Sequence, residues 1–527
     1  MIAVRIVGLV LEFFCASIQK PDAYPFYLLA FIYLLPMPTI AVIGSGIAGL
    51  SAASLLAAKG YTVQVFEKNA YAGGKLGLLE ADGYRFDRGP SLFTQAHLFD
   101  AHFAACGKQR SDYFSYQRLD EGTRYFWNDG TRLEAFPEAD QRAREWTEQL
   151  GLSNDATERY LSRAADLYRH IGSIFLDQNI HSWRTWLHPQ ILNALRYLRL
   201  PYLTQTLHRY NQKTLRHPKL VQLFDRFATY NGSDPYRCPA MLSTIAHLEL
   251  TEGAYYPEEG LYALPQALYR LCTDLGVQFQ FDSRVDQIIT EGQVVKGIEM
   301  DGVVYGADAV ISNSDVVFTY QHLLNDAKEA QRWNVPERSS SGIVFYWGIA
   351  KSFPQLNLHN IFFADDYQAE FNAIKAGIAA FPDPTVYLNI TSKYNPEHAP
   401  EGHENWFVLI NAPSGTVDAD FVAQTRQAVL QKISHVLGED LEPLIRFEEI
   451  LDPQGIADWT ESYLGALYGM ASNDMMAAFN RHPNQSKQYQ GLYFTGGTVH
   501  PGGGIPLCMR SGSLAAQLIV KNGFLDE

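Results

Sequence analysis

Three glycines spaced Gly44-x-Gly46-x-x-Gly49, followed eighteen residues later by Glu67, are the positions of this chain best suited to holding a phosphate. In such a pattern Gly44 permits a tight turn, Gly46 lets the backbone approach a pyrophosphate, and Gly49 lets a helix pack against the preceding strand. A helix opening at that turn presents free N–H groups and the positive end of its dipole to the anion. A carboxylate at Glu67 accepts hydrogen bonds from ribose hydroxyls and repels a 2′-phosphate, which favours FAD or NAD over NADP. Asn69–Lys75 (NAYAGGK) then adds a glycine pair ending in Gly74 and a cation, Lys75, and Gly83–Ser91 closes a further turn through Gly89 and Pro90. An NAD domain needs no such extension, and no second Gly-x-Gly-x-x-Gly follows at the mouth of a strand, so FAD is the expected redox group. Close to the C-terminus, Gly491–Pro506 carries Gly496, Gly497, Gly503 and Ile505 in a glycine-rich turn, suited to the ribityl-pyrophosphate and isoalloxazine end.

These residues need elements to position them. Thr39–Ile43 is a β-branched run suited to a buried parallel strand, Leu50–Lys59 is an Ala- and Leu-rich helix, Gly60 stops it, and Thr62–Phe66 is a second strand. Gly276–Met300 alternates strand-like segments about a turn at Gly292, with the backbone of Val285 expected near the adenine, and Val303–Ser312 reads as one more buried strand. The expected fold is α/β: a Rossmann-like, two-dinucleotide-binding FAD domain, discontinuous in sequence, with an α+β substrate domain and a helical membrane-facing insert. The expected divisions are an apolar extension over 1–36, FAD-binding parts over 37–100, 256–312 and 466–527, a helical lid and membrane-facing insert over 101–255, and a substrate-binding sheet over 313–465.

Composition narrows the function classes. With 527 residues, 47% hydrophobic and 19% charged, the chain is globular and long enough for two to four folding units. A net charge of −15 argues against nucleic-acid binding through a general basic field. Five scattered cysteines without C-x-x-C spacing indicate neither a zinc ribbon nor a disulfide framework, so no metal is expected and a cytoplasmic, reducing compartment fits best. The first thirty-six residues are apolar but broken by Arg5, Glu12, Lys20 and prolines, short of the ~20 uninterrupted residues a spanning helix needs. Met37 is the expected natural start; the competing reading of 1–36 is a membrane-contacting arm. Between Trp183 and Arg226, eight bases (Arg184, Arg196, Arg199, Arg209, Lys213, Arg216, Lys219 and Arg226) face one acid, Asp225, interleaved with aromatic and aliphatic residues. Basic amphipathic helices of this kind lie on anionic bilayers, which predicts peripheral, monotopic membrane association; the alternative is a solvated face.

With VIGSGIAGLSAA, EKNAYAGGK, YRFDRGPSLFT, RFATYNGSDPYRCP, AYYPEEGLYALPQAL, ADAVISNSDVVFTY and GLYFTGGTVHPGGGIPLCMRSG in hand, the chain resembles the carotenoid desaturases of the phytoene-desaturase type, within the flavin-dependent amine oxidase-like superfamily. The resemblance spans Thr39 to Ile519, and the T-x-H-P-G-x-G-I-P turn is its most specific part. Lys75 departs from the arginine usual there, replacing a bidentate phosphate contact with a point charge. Within the family the closer likeness is to 1-hydroxycarotenoid 3,4-desaturases, also called methoxyneurosporene dehydrogenases. The resemblance implies an acyclic carotenoid substrate, hydride transfer to FAD, reoxidation by a membrane quinone or oxygen, and few acid–base groups. Arg88, Asp234, Tyr236 and His500 are the candidates for a polar partner near the flavin. Phytoene desaturation, a carotenoid oxygenase, a flavin-dependent isomerase and a non-redox lipid-binding protein are the competing readings.

Overall fold

Parallel pairing requires long crossovers, and the glycine-rich turns lie where those crossovers leave the strands. The computed structural model describes residues 37–523 except 153–154, 195, 336 and 378–380; the apolar extension 1–36 lies outside the described residues. Thr39–Ile43 (β1), Thr62–Phe66 (β2), Gln278–Gln280 (β3), Ala309–Ser312 (β4) and Leu492–Phe494 (β5) form one parallel sheet in the order β5-β4-β1-β2-β3. One sheet thus draws its strands from stretches more than 400 residues apart. Ile40, Val42, Val63, Val65 and Ile311 are buried in it, as expected where helices cover a parallel sheet.

Helix α1, Ile47–Ala58, follows β1, and α2, Ile505–Lys521, follows β5. The helix after β1 starts three residues earlier than the composition suggested, which places Gly49 within its first turn. The two helices pack where Gly512 has no side chain: a Cβ there would lie 2.4 Å from the carbonyl oxygen of Ala48. Val303–Ser312, expected as one strand, divides. Val303–Gly306 pairs antiparallel with Val294–Met300 in a small sheet, and only Ala309–Ser312 joins the parallel sheet. Val303 and Val304 are exposed while Ala309, Val310 and Ile311 are fully buried, so one apolar run in the sequence serves two opposite environments.

The second large sheet has seven strands. Ile445–Leu451, Ser341–Ile349, Glu404–Ala412, Val386–Ile390, His359–Phe362, Thr123–Phe126 and Arg132–Glu134 follow in that order, antiparallel except where His359–Phe362 meets Thr123–Phe126. Ser341–Ile349 is buried along its whole length, with Phe345 and Trp347 turned to one core and Val344 and Tyr346 to another. Short helices spanning 155–250 lie beyond this sheet, packed around Trp146, Tyr160, Phe224 and Phe227. Among the described residues, no helix is long and apolar enough to cross a membrane.

Candidate functional site

The Gly44–Gly49 turn is built almost entirely from backbone. Gly44 has φ +92°, a Cβ on Gly49 would lie 2.3 Å from the Gly44 carbonyl oxygen, and one on Gly46 would lie 2.8 Å from the Asn313 amide nitrogen. Gly74 crosses directly over Gly46, its notional Cβ 3.0 Å from the Gly46 Cα, and Gly73 donates to the Ser45 carbonyl at 3.0 Å. No side chain caps α1, so its first N–H groups stay available to an anion. These features fit the pyrophosphate of a dinucleotide.

Glu67 directly follows β2, and it is buried. Its Oε2 accepts from the backbone N and hydroxyl of Ser45, each at 2.8 Å, and its Oε1 from the backbone and side-chain nitrogens of Asn69 at 2.9 and 3.0 Å. Val285 is buried beside Phe66 in one core cluster. Gly496 has φ +109° and donates its N–H to the Ser511 hydroxyl at 3.1 Å; a Cβ on Gly497 would lie 3.4 Å from Gly503. Asn313, which follows β4, lies against Gly44, Gly46, Gly49 and Gly496, between the two glycine-rich turns. The expected site residues did not include it; its position just past the C-terminal end of a buried parallel strand was the available signal.

Past these turns the molecule holds a cavity of about 660 Å³, lined mostly by apolar surface. Lys75, Gly89, Pro90, Gly503 and Ile505 form one part of its wall, Tyr346, Ile361 and Tyr387 of the large sheet another, and Trp186, Leu198, Tyr202 and Leu203 of the helical insert a third. A Cβ on Gly89, where φ is +96°, would overlap the Lys75 carbonyl oxygen at 1.8 Å, so this wall requires glycine. Lys75 donates from Nζ to the carbonyl oxygens of Ala466 and Leu467 at 3.0 and 2.8 Å, and burial lowers its ammonium to about 8.

The four candidate polar partners occupy other places, and none lines the cavity. Arg88 pairs with Glu449 at 2.8 Å and lies over the rings of Tyr346 and Trp459. Asp234 closes a turn by accepting from the Tyr236 backbone at 2.8 Å, and Tyr236 packs on His208 and Phe371. His500 is buried with Nε2 3.1 Å from the Gln178 carbonyl oxygen, and desolvation lowers its pKa to about 4. Polar groups that do reach the wall were not singled out from the sequence. Ser91, beside Pro90, donates to the Tyr387 hydroxyl at 2.8 Å, which lies 2.8 Å from His359 Nδ1. Burial lowers His359 to about 3.

The basic insert is also redistributed. Arg184, Arg196, Arg199, Arg209, Lys213 and Arg216 are exposed, whereas Lys219 pairs with Asp129 and Arg226 is only 5% exposed, paired with Glu249. Arg226 therefore does not belong to the surface run: the apolar residues around it carry it inward, where Glu249 balances its charge. Trp183, Leu187 and Leu200 project outward among the exposed arginines at 68%, 71% and 71% exposure.

A parallel sheet with glycine-rich turns at its strand ends, joined to a large antiparallel sheet over an apolar cavity, is the architecture of flavin-dependent oxidoreductases. Residues 47–520 match the family of flavin containing amine oxidoreductases, and the chain belongs to it; its cofactor is FAD. Among relatives, the chain is 46% identical to the 1-hydroxycarotenoid 3,4-desaturase of Flavobacterium sp. (strain P99-3), over 91% of this chain and 98% of the relative. It is 32% identical to the 4,4′-diapolycopene oxygenase of Methylomonas sp., over 92% and 98%. Among solved structures, cyclohexylamine oxidase from Brevibacterium oxydans IH-35A superposes with a TM-score of 0.58 at 15% identity, over 92% of this chain and 99% of that one. An oxidoreductase from Methanosarcina mazei gives 0.60 at 14% identity, over 92% and 100%.

Proposed function

We propose that this protein is an FAD-dependent desaturase that introduces a C–C double bond into an acyclic carotenoid, at the 3,4 position of a 1-hydroxycarotenoid. The observation that carries the reading is the apolar cavity whose lining includes Gly89, Pro90 and Ile505, the turns expected to border the flavin. A compact amine needs no such wall of Leu, Ile, Tyr and Trp, whereas a polyene does. The 46% identical relative, a 1-hydroxycarotenoid 3,4-desaturase, supports the same substrate class.

In this reading Gly44, Gly46 and Gly49 take the pyrophosphate, Glu67 and Val285 border the adenosine half, Gly74 and Lys75 cross over the phosphates, and Gly496, Gly497, Gly503 and Ile505 hold the ribityl and ring end. FAD, when bound, supplies the hydride acceptor. The chain's own work is to hold the polyene in one register, keep water out and take up the second hydrogen as a proton. Ser91 and Tyr387 provide a hydrogen-bonded route from the cavity wall to His359 Nδ1, which also lies 3.2 Å from the Asn389 amide nitrogen. A carbon beside a hydride-depleted polyene is a strong acid, so an acceptor as weak as His359 suffices.

Trp186 and Leu203 line the cavity next to outward-facing Trp183, Leu187 and Leu200. With Arg184, Arg196 and Arg199 among them, this rim supports peripheral membrane association at the cavity mouth, where the carotenoid enters and a quinone or oxygen reoxidises the flavin. Incubating the FAD-loaded protein in liposomes with a 1-hydroxylated carotene, with phytoene and with a diapocarotenoid tests the assignment. The expected product is the hydroxylated carotene lengthened by one conjugated double bond. Oxygen incorporation into a diapocarotenoid would transfer the assignment to the oxygenase reading, and turnover of phytoene alone to the early desaturases.

A further inference from the structure

Among the described residues three arginines are buried, and two of them face a carboxylate: Arg142 lies 2.7 Å from Glu158 and Arg226 lies 3.3 Å from Glu249. Arg481, 3% exposed, pairs with no carboxylate among the described residues. Its guanidinium donates to neutral oxygens, from Nη2 to the Met470 carbonyl at 2.9 Å and the Ser472 hydroxyl at 3.2 Å, and from Nη1 to the Gly497 carbonyl at 3.4 Å. Burial lowers its pKa to about 10, so it stays protonated at neutral pH. A buried charge is costly unless an opposite charge answers it, and here no described side chain does.

The position of Arg481 says which anion could answer it. Arg481 lines the cavity together with Gly503, Gly504 and Ile505. Its side chain lies against Gly502, where a Cβ would be 3.1 Å from the guanidinium carbon. This is the glycine-rich turn assigned above to the ring end of FAD. Helix α2 opens there with no side-chain cap and no acid in its first turn, so its positive end adds to the same field. The phosphates are already met by Gly44–Gly49 and the open end of α1, which leaves charge that develops on the ring.

We propose that Arg481 is the positive charge that offsets hydride arrival at the flavin ring and thereby raises the potential of the bound FAD. This deepens the reading given above and rests on it for the placing of the ring at this turn. In the step a substrate C–H bond breaks, both its electrons and its proton pass to the flavin as hydride, and the flavin side gains one negative charge; the second hydrogen leaves as a proton along the cavity wall. A fixed cation in a water-excluded site favours the reduced form without having to reorganise.

The midpoint potential of the bound FAD, measured by reductive titration against a reference dye with no carotenoid present, tests this. Arg481→Gln retains amide donors and removes the charge, whereas Arg481→Lys retains the charge. The Gln variant is expected to shift the equilibrium about tenfold to a hundredfold towards oxidised flavin, ~30–60 mV for a two-electron couple, and the Lys variant to stay close to wild type. A Gln variant with the wild-type potential, or a Lys variant that falls as far as the Gln variant, overturns the proposal. Loss of FAD from the Gln variant alone reassigns the charge to the phosphates, and loss from both reduces Arg481 to a brace of the turn; either result overturns it as well. Ile505→Tyr tests the placement of the ring separately, with quenched flavin fluorescence as the expected result. An unquenched flavin there refutes the placement and the proposal with it, whereas a quenched flavin with equal potentials refutes only the charge. Because no carotenoid enters the titration, a shifted potential in a protein that desaturates nothing refutes the desaturase reading and leaves the role of Arg481 standing.

Discussion

The nucleotide cradle and the substrate cavity are adjacent, but the chain encodes them differently. In the cradle almost every functional contact is a backbone position, so the requirement is for missing side chains: Gly49 against the Gly44 carbonyl, Gly74 over Gly46, Gly89 against Lys75. In the cavity the requirement is for side chains that are present, and they come from all over the chain. Ser91, Arg226, Tyr346, Tyr387 and Trp459 share one wall although they are up to several hundred residues apart. A backbone cradle tolerates no addition, whereas an apolar wall tolerates exchanges of similar volume. This places cofactor identity under tight constraint and substrate identity under loose constraint.

The largest effect that sharpens this contrast is expected from Gly89→Ala. Its Cβ would overlap a backbone carbonyl that no rotamer change can move, at a φ that alanine adopts poorly. The purified protein is expected to lose its flavin absorbance, with about 3 kcal/mol or more of destabilisation, the scale of severe backbone strain; a variant that retains stoichiometric FAD would break the comparison. Next comes Leu248→Trp on the cavity wall. It is expected to keep the flavin spectrum and lower carotenoid turnover by about tenfold or more, at a cost of about 1–3 kcal/mol in stability from overpacking. Loss of flavin in that variant would show that the two regions are not separable.

The same contrast explains what could be read in advance. Gly44, Gly46, Gly49 and Glu67 lie within 24 residues of one another on a single strand–helix–strand unit, so their spacing alone defines the unit. Asn313 performs its part from 267 residues beyond Gly46, and no local pattern distinguishes it from any Asn after a strand. Arg226 looked like one base in a basic run, because composition reports the charges of a segment and not the side of the helix each faces. Only the Glu249 partner, 23 residues on, turns it inward. His500 and Arg88, candidates for a polar partner near the flavin, are not in the cavity lining: His500 bonds the Gln178 carbonyl, and Arg88 pairs with Glu449 behind the cavity-wall rings of Tyr346 and Trp459.

Acidity separates the regions more mildly. His102, packed on Ser54 of α1, has its pKa lowered to about 4 by burial, so its contribution is present above the unfolded value near 6.5 and lost as pH falls towards 4. Glu370, on the helix Tyr367–Ala376, is raised to about 7 by burial; its contribution is present below the unfolded value near 4.5 and lost as pH rises through 7. His102→Gln is expected to flatten the acid side of a stability–pH profile and Glu370→Gln the neutral side, each by about 1–3 kcal/mol. Unchanged slopes in thermal melts across pH 4–8 would contradict these assignments. The smallest effect on the fold is expected from reversing Arg196 and Arg199 to Glu: an unchanged melting temperature with reduced co-sedimentation on anionic liposomes. Equal sedimentation of variant and wild type would remove the membrane-facing role from the insert.

The central claim is that the cavity delivers a hydroxylated polyene to the flavin for hydride removal, and anaerobic single-turnover mixing tests it most directly. FAD-loaded protein mixed with a 1-hydroxylated carotene in the absence of oxygen is expected to bleach its flavin absorbance once, with one new conjugated double bond formed per flavin. A carotene that binds while the flavin stays oxidised, or that isomerises without bleaching it, would contradict the account.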